Sequence, residues 1–297
     1  MSDATDAVVV LGASGLLGQA LMRELAGRGR KAVALSRRQG VDLGALPSVN
    51  ALAAVLDPLA PSLVINAAAI TDLAGCEAHP QDAWLLHARL PGLLAQWSRS
   101  SGVPWVQVST DHYFCGAANV LHDEDAVVAP PNEYARSKFA GEALALASPC
   151  ALVRRTNIVG RRGWPGLPSC AEWVVSALAD GKPFAGYTDV WASGLEARQC
   201  AAALLDLAGA GHRGLLNVAA RESISKADFI SAIAQALCLD DGLMQRQHRP
   251  STGLPRANTL GLDVRRAQTL LGRPLPTTTE VAQAVAAQFK EHHHVPA

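Results

Sequence analysis

A glycine-rich loop places the strongest single constraint on the fold of this chain of 297 residues. The heptapeptide GASGLLG follows directly on the apolar run Val8 to Leu11 and opens a segment of helical periodicity. Glycines between a strand and a helix allow a tight turn and the close approach of a pyrophosphate, and the helix N-terminus faces the anion. The loop therefore predicts a dinucleotide site, the alternative being a turn without a ligand. Its cofactor-binding residues would be Gly12, Ser14, Gly15, Leu16, Leu17 and Gly18.

Short apolar runs alternate with longer segments of helical periodicity from residue 8 to about residue 155. Continuous rather than alternating apolar strands are typical of a parallel sheet that helices cover on both faces. We therefore predict an α/β chain with an NAD(P)-binding Rossmann fold, which is a doubly wound parallel sheet. The predicted strands are Val8 to Leu11, Ala32 to Leu35, Leu63 to Ile65, Trp105 to Val108 and Ala151 to Val153. The predicted helices of this part are Leu16 to Leu25, Val49 to Leu56, Trp84 to Ser98 and Tyr134 to Ala147.

The chain after residue 155 has a looser rhythm, with a Gly- and Pro-rich stretch at 160–168. We predict a Rossmann domain over 1–155 and a smaller C-terminal α+β substrate domain over 156–297. A helix at about 195–209 is expected to pack back on the first domain. Further helices are predicted at Ser169 to Leu178, Lys226 to Leu237 and Thr279 to Phe289, with a short strand near Leu215 to Val218 and a loop at Arg249 to Leu254.

Composition and charge exclude several classes of partner. Lys plus Arg equal Asp plus Glu at 26 each, so no net basic field attracts nucleic acid or a membrane surface. No apolar stretch approaches the roughly 20 residues that span a bilayer, and the acidic start MSDATD does not resemble a secretion signal. The six cysteines are scattered without a metal-like spacing. These features predict a cytoplasmic protein with a small-molecule ligand, no metal, and a homodimer as an open possibility.

Two arginines at the end of the second predicted strand bear on the choice of cofactor. An NAD site usually offers Asp or Glu there, whereas the guanidinium groups of Arg37 and Arg38 suit a 2′-phosphate. These arginines favour NADPH as the cofactor, with NADH possible. The alternative to a phosphate-binding role is that both arginines are solvated on an exposed turn. The other residues expected beside the cofactor are Asp42, Leu43, Ala67, Ala68, Ala69 and Ser109.

A tyrosine and a lysine lie four residues apart on one helical face in Tyr134-Ala135-Arg136-Ser137-Lys138. Beside a nicotinamide, the Lys138 ammonium would lower the phenol pKa of Tyr134 toward working pH and hold the ribose. Tyr134 would then donate a proton to a carbonyl oxygen that receives hydride at its carbon. Thr110, at the carboxyl end of a predicted strand, is placed to hydrogen-bond the same oxygen.

Six stretches of the chain together resemble one family. They are GASGLLG, INAAA, STDHYF, EYARSKFAGE, LVRRTNIVG and RANTLGLD, the last at 256–263. They are similar to the extended short-chain dehydrogenase/reductases, and within these to the dTDP-4-dehydrorhamnose reductase (RmlD-like) branch, over nearly the whole chain. The resemblance implies NAD(P)H-dependent reduction of the 4-keto group of a nucleotide-linked deoxysugar. It places Thr110, Tyr134 and Lys138 where the family keeps its catalytic residues.

Departures from the family pattern lie on the substrate side. His112 stands where the branch usually has a tyrosine, and Asn157 matches an Asn with which other extended members contact the nucleotide sugar. Asp111 is expected to orient a substrate hydroxyl, and His112 to shape the pocket or bond the sugar, with a second acid-base role as its alternative. Tyr113 is expected to face the substrate, and Trp164 and Trp191 to contact a base or sugar.

Other readings of the chain stay open. It could be a non-catalytic NADP-binding regulatory subunit like that of methionine adenosyltransferase, or a reductase of a different carbonyl substrate. The arginines expected near a substrate pyrophosphate are Arg154, Arg155, Arg161 and Arg162. The tail His292-His293-His294 is interpreted as frayed polar chain rather than a metal site.

Overall fold

A computed structural model describes residues 7–116, 119–163 and 168–292 of the chain. Its strands are β1 Ala7–Leu11, β2 Ala32–Leu35, β3 Pro61–Asn66, β4 Trp105–Val108, β5 Leu121–His122, β6 Ala151–Arg155, β7 Ile158–Val159, β8 Phe184–Tyr187, β9 Trp191–Ala192, β10 Leu195–Glu196, β11 Gly214–Asn217, β12 Ile224–Ser225, β13 Met244–Gln247 and β14 Thr259–Leu262. Its α-helices are α1 Leu16–Gly27, α2 Val49–Leu56, α3 Leu73–Ala78, α4 Pro80–Trp84, α5 Leu90–Ser101, α6 Glu133–Leu146, α7 Cys170–Ala179, α8 Ala197–Gly209, α9 Lys226–Leu237, α10 Arg265–Leu271 and α11 Thr278–His292.

A six-stranded sheet in the order β11-β6-β4-β3-β1-β2 forms the centre of the molecule. Every pairing within it is parallel, so all its strands end at one edge. Strand β2 lies beside β1 on one side, and β3 lies beside it on the other, so the strand order reverses direction at β1. This reversal opens a crevice at the carboxyl ends of β1 and β3, which is where open α/β sheets bind ligands.

Both faces of the sheet are buried, as the continuous apolar runs predicted. Successive residues of a strand point to opposite faces, so Val8 and Val10 pack in one core cluster and Val9 and Leu11 in another. All four side chains are fully buried. Burying a side chain of this kind contributes roughly 1.5–3 kcal/mol. The α/β class and the doubly wound parallel sheet predicted from the sequence are confirmed.

The later part of the chain contributes both to the large sheet and to smaller ones. Strand β11 pairs with β6, and the remaining strands form three small sheets, β10-β7, β12-β9-β14-β5 and β13-β8. Helix α8 lies against α1, where Arg28 Nη1 on α1's C-terminal flank donates to Asp206 Oδ1 at 2.8 Å. The domain division at residue 155 stays a prediction.

Several short elements were not predicted. Strands of two residues carry too little periodicity to be detected, and helices α3, α4 and α10 span only five to seven residues. The single helix predicted over Trp84 to Ser98 is instead α4 and α5 joined by a π-helical turn at Leu85–Arg89. Within the described ranges, no helix has the length and apolar character needed to cross a bilayer.

Candidate active site

A cleft of about 1040 Å³ lies at the carboxyl edge of the large sheet, at the reversal between β1 and β3. It brings together residues that are far apart in the sequence. The predicted site residues that line it are Gly12, Ser14, Gly15, Leu16, Leu17, Arg37, Arg38, Asp42, Leu43, Ala67, Ala68, Ala69, Ser109, Thr110, Asp111, His112, Tyr134, Lys138 and Asn157. Gly18 and Trp191 lie outside the lining.

The glycine-rich loop is packed too tightly to carry side chains at two of its positions. Gly12 has a φ of +77°, and a Cβ there would lie 2.6 Å from the Ala68 Cα. A Cβ on Gly18 would lie 2.2 Å from the Gly12 carbonyl oxygen, so Gly18 supports the loop from behind. Bare backbone therefore faces the cleft before the N-terminus of α1, a cradle that fits a pyrophosphate.

The turn after β2 forms the other end of the cleft. Arg37 and Arg38 lie in a 3-10 turn that Ser36 caps, with the Ser36 Oγ accepting from the Arg38 N–H at 3.2 Å. Asp42 accepts from the Gly44 N–H at 3.0 Å, which shapes the wall beside the buried Leu43. Two guanidinium groups at the end of a nucleotide cleft suit a phosphate.

Helix α6 carries Tyr134 and Lys138 into the cleft. Asn132 caps it, its Oδ1 accepting from the Ala135 N–H at 3.0 Å, and donates from Nδ2 to the Pro255 carbonyl at 2.9 Å. Thr110, just after β4, lines the same cleft as Tyr134. Tyr134 and Thr110 are each at least nine-tenths buried, so bulk water has little access to this pair.

The lysine does not act on the tyrosine as the sequence analysis expected. Burial raises the pKa of Tyr134 to about 12, although the nearby Thr110 side chain opposes the rise. Lys138 Nζ donates instead to the Val108 carbonyl at 2.6 Å, and burial lowers the pKa of Lys138 to about 8. Tyr134 is therefore protonated at neutral pH, which is the state that a proton donor requires.

Asp111 is a buried carboxyl group, with only 1% of its surface exposed. Its Oδ2 accepts from Asn157 Nδ2 at 2.6 Å and its Oδ1 from the Thr110 hydroxyl at 3.4 Å. Burial raises the pKa of Asp111 to about 7 despite these hydrogen bonds. The carboxyl thus gains and loses its proton close to neutral pH.

His112 contacts the ring of Tyr134 and is subject to the positive charges of three other residues. Its ring meets the Tyr134 ring edge-on, with centroids 5.5 Å apart, and its side chain is 27% exposed. Burial, followed by the positive charges of Lys226, Arg256 and Arg249, lowers the pKa of His112 to about 4. The sequence analysis missed these three cations because 114 to 144 residues of chain separate them from His112. In the sequence these three cations are recognisable only as basic residues in a predicted loop or at the start of a predicted helix.

A second histidine was also missed. His87, in the π-helical turn, is 1% exposed, and its Nε2 accepts from the Ile70 N–H at 2.9 Å. Its Nδ1 lies 2.9 Å from the Ser137 Oγ, and its ring meets Tyr134 edge-on at 5.6 Å. His87 therefore ties the loop after β3 to the helix of Tyr134. A lone histidine in an apolar helical pattern was the available signal.

Two of the arginines expected near a pyrophosphate are structural. Arg154 is fully buried and donates to the carbonyl groups of Gly214 and His212. Arg155 forms a buried ion pair with Glu142, Nη2 to Oε1 at 2.6 Å. The expectation that Arg154 and Arg155 meet a pyrophosphate was wrong. Both side chains are buried against the interior, where a charge needs a partner within the protein. Of the later pair, Arg162 lines the cleft and Arg161 does not.

Tyr113 corrects another expectation, since it points into the core rather than toward a substrate. It is fully buried, and its hydroxyl lies 2.9 Å from the Ser109 Oγ. Ser109 also donates to Glu142 Oε2 at 2.7 Å, so its hydroxyl is held by the interior although the residue borders the cleft. The Tyr113 hydroxyl has Ser109 as its partner inside the protein, which explains its inward position.

The remaining candidates lie away from the cleft or outside the described part. Trp191 is half-buried in β9, between β12 and β14. Trp164, His293 and His294 lie outside the described residues. Among residues 7–116, 119–163 and 168–292, no group of three or more His, Cys, Asp or Glu side chains is placed to hold a metal ion.

Comparisons with known proteins agree with this architecture. The family model described as RmlD substrate binding domain matches residues 6–291. A probable low-salt glycan biosynthesis reductase, Agl14, of Haloferax volcanii is 31% identical over 95% of this chain and 98% of its own length. A dTDP-4-dehydrorhamnose reductase of Mycobacterium tuberculosis is 34% identical over 75% of this chain and 73% of its own. The Bacillus anthracis dTDP-4-dehydrorhamnose reductase, solved in complex with NADP, shares the fold with a TM-score of 0.83 at 20% identity, covering 98% of this chain and 100% of that one.

The parallel sheet, the glycine-rich loop and the helix with Tyr134 and Lys138 define an oxidoreductase of the extended short-chain dehydrogenase/reductase type. The chain belongs to the RmlD substrate binding domain family, whose model spans nearly its whole length.

Proposed function

We propose that the protein is an NADPH-dependent reductase of a 4-keto deoxy nucleotide sugar, with Tyr134 as the proton donor. The observation that carries this proposal is one cleft that Thr110, Tyr134 and the buried Lys138 line together with the glycine-rich loop. Arg37 and Arg38 would hold the adenosine phosphate of NADPH, the glycine-rich loop its pyrophosphate, and the Thr110 and Tyr134 end of the cleft its nicotinamide. The names of the relatives support the nucleotide-sugar class.

In the proposed mechanism each residue has a distinct role. Bound NADPH supplies a hydride to the carbonyl carbon. Tyr134 donates its phenolic proton to the carbonyl oxygen, which the Thr110 hydroxyl also holds. Lys138, which donates to the Val108 carbonyl, would hold the nicotinamide ribose. The buried surroundings exclude water from the reacting atoms, which strengthens these interactions.

The substrate side of the cleft suits an anionic ligand. The positive charges of Lys226, Arg249 and Arg256 act on His112, which lines the cleft, although the three cations lie outside the lining. Arg249 is fixed by donating to the Ala257 carbonyl at 3.0 Å and to the Arg256 carbonyl at 2.8 Å. A nucleotide sugar carries a diphosphate between its base and its sugar. We propose that these cations, rather than Arg154 and Arg155, meet that diphosphate.

NADPH oxidation assayed with 4-keto-6-deoxy sugars linked to different nucleotides tests this function. We expect turnover with at least one of them. Tight NADPH binding without oxidation by any keto sugar, together with co-purification of another enzyme, would favour the regulatory-subunit reading.

The preference for NADPH over NADH should depend on the arginines after β2. We expect the double change Arg37→Ala and Arg38→Ala to weaken NADPH binding about tenfold or more while leaving NADH nearly unaffected. The reason is that a charge-assisted hydrogen bond to phosphate contributes about 1.5–3 kcal/mol. Calorimetric titration with each nucleotide measures both effects. The control is Arg23→Ala, an exposed arginine on α1 outside the cleft lining. Equal losses for the two nucleotides would contradict the assignment.

A further inference from the structure

Asn132 uses its side-chain amide in two directions at the start of helix α6. Its Oδ1 accepts from the Ala135 N–H at 3.0 Å, which caps the helix, and its Nδ2 donates to the Pro255 carbonyl at 2.9 Å. The Asn132 side chain is fully buried, and Pro255 lies 123 positions away in the sequence. Capping needs only the oxygen, which serine or aspartate would supply equally well. The amide nitrogen therefore makes a contact that the helix itself does not require.

Pro255 belongs to the 248–258 loop, by which we mean the segment between β13 and β14. Asn258, at the far end of this loop, is bonded to the segment after β4. Its Oδ1 accepts from the Gly116 N–H at 3.1 Å, and its Nδ2 donates to the Gly116 carbonyl at 3.2 Å. The loop also carries two of the cations whose charges act on His112. Two buried or half-buried amides thus hold a basic loop against the segments that carry the reacting side chains.

The first turn of α6 has further anchors in the N-terminal part of the chain. The Glu133 N–H donates to Glu77 Oε1 at 2.8 Å, and Trp84 Nε1 donates to Glu133 Oε2 at 3.0 Å. Tyr134 is the second residue of this turn. The turn therefore keeps these anchors without the bond to Pro255, and what that bond adds is a direct link between the turn and the 248–258 loop.

From these contacts we propose that Asn132 is a positioning residue, whose amide nitrogen holds the 248–258 loop, and the nucleotide sugar bound by it, at a fixed distance from Tyr134. The inference rests on the proposed function, in which the cations of this loop meet the diphosphate. Pro255 is exposed, so water can replace the amide when the bond is removed. Loss of the bond should therefore change stability little but allow the loop to shift. Misplacing a bound substrate by about 1 Å can lower the rate about 100-fold.

The variant Asn132→Ser separates the two contacts, because its hydroxyl still caps α6 whereas the shorter side chain does not reach the Pro255 carbonyl. We expect kcat for the keto sugar to fall about tenfold or more, since the sugar is no longer aligned with Tyr134. KM should stay nearly constant because the loop keeps its cations, and NADPH affinity because the glycine-rich loop is untouched. The melting temperature should also stay nearly constant. Steady-state NADPH oxidation, calorimetry and thermal unfolding measure these quantities.

Two further variants distinguish positioning from helix capping. Asn132→Ala removes both contacts, so it should show the same loss of kcat together with a lower melting temperature. Ser48→Ala removes the cap of α2, where the Ser48 Oγ accepts from the Ala51 N–H at 3.3 Å, and Ser48 lies outside the cleft lining. It should lower the melting temperature and leave kcat unchanged.

Three results would overturn the positioning role. A loss of kcat in Asn132→Ala that Asn132→Ser does not share would assign Asn132 to capping alone. A rise in KM at wild-type kcat would show a binding role instead. Wild-type kinetics in both Asn132 variants would show no role in the reaction. Absence of NADPH oxidation by the wild-type protein with any keto sugar would refute the proposed function, and the positioning role with it.

Discussion

Replacing Tyr134 by phenylalanine should lower the turnover of the keto sugar by about 100- to 10,000-fold, the range that a general acid contributes. The change removes one oxygen atom and leaves the ring, which packs edge-on against His87 and His112. Without the phenol, hydride transfer would leave an alkoxide whose only remaining hydroxyl partner from this pair is Thr110. Steady-state NADPH oxidation at saturating substrate measures the loss. Affinity for NADPH should stay nearly constant, because Tyr134 lies on α6 and not in the glycine-rich loop.

The control for this variant is Tyr187→Phe, which removes the same atom from a half-buried tyrosine at the end of β8. Tyr187 does not line the cleft, so turnover should be unaffected. Unchanged turnover in Tyr134→Phe would refute the catalytic role of Tyr134. A similar loss in both variants would show that the effect is one of stability.

Replacing Gly18 by alanine should weaken NADPH binding about 5- to 150-fold. The new Cβ would lie 2.2 Å from the Gly12 carbonyl oxygen and 2.6 Å from the Ala13 Cα, so the loop must move away from α1. Overpacking of this kind costs about 1–3 kcal/mol, and each 1.4 kcal/mol is a tenfold change in affinity. Because backbone atoms are the neighbours, no side-chain rotation relieves the clash.

Gly27→Ala on the same helix is the matched control, since a Cβ there meets nothing within 4 Å. It should leave NADPH affinity unchanged and raise the melting temperature slightly, because alanine is the better helix former by about 1 kcal/mol. Binding is measured by calorimetry and stability by thermal unfolding. If Gly18→Ala binds NADPH as tightly as the wild-type protein, close loop packing is not what shapes the cofactor cradle.

The sequence predicted the large sheet well because its signals are local. The strand runs are continuous and apolar, and α2 and α9 have the boundaries that periodicity indicated. The gathering of Gly12, Thr110 and Tyr134 in one cleft also followed, since parallel strands must end at the same edge. These inferences needed only the period of the pattern and the topology of an α/β chain.

Features that depend on tertiary contacts could not be predicted from the sequence. Nothing local distinguishes Arg154, buried against backbone carbonyls, from an arginine free to bind phosphate. The positions of Lys226 and Arg256 near His112 depend on how the last hundred residues fold back over the cleft. The pKa of Tyr134 likewise follows from burial, which the spacing to Lys138 did not reveal. Burial and long-range partners therefore decided the details of the site.

The most direct test of the central claim is the transfer of deuterium from NADPH labelled at the nicotinamide C4 into the sugar. Incubation of the protein with the labelled cofactor and a 4-keto-6-deoxy nucleotide sugar, followed by mass spectrometry and NMR, locates the label. Our account predicts one deuterium on the sugar C4 carbon, formation of a hydroxyl at that carbon, and loss of the signal in Tyr134→Phe. A protein that binds the cofactor yet leaves every such sugar unlabelled and unreduced would contradict it.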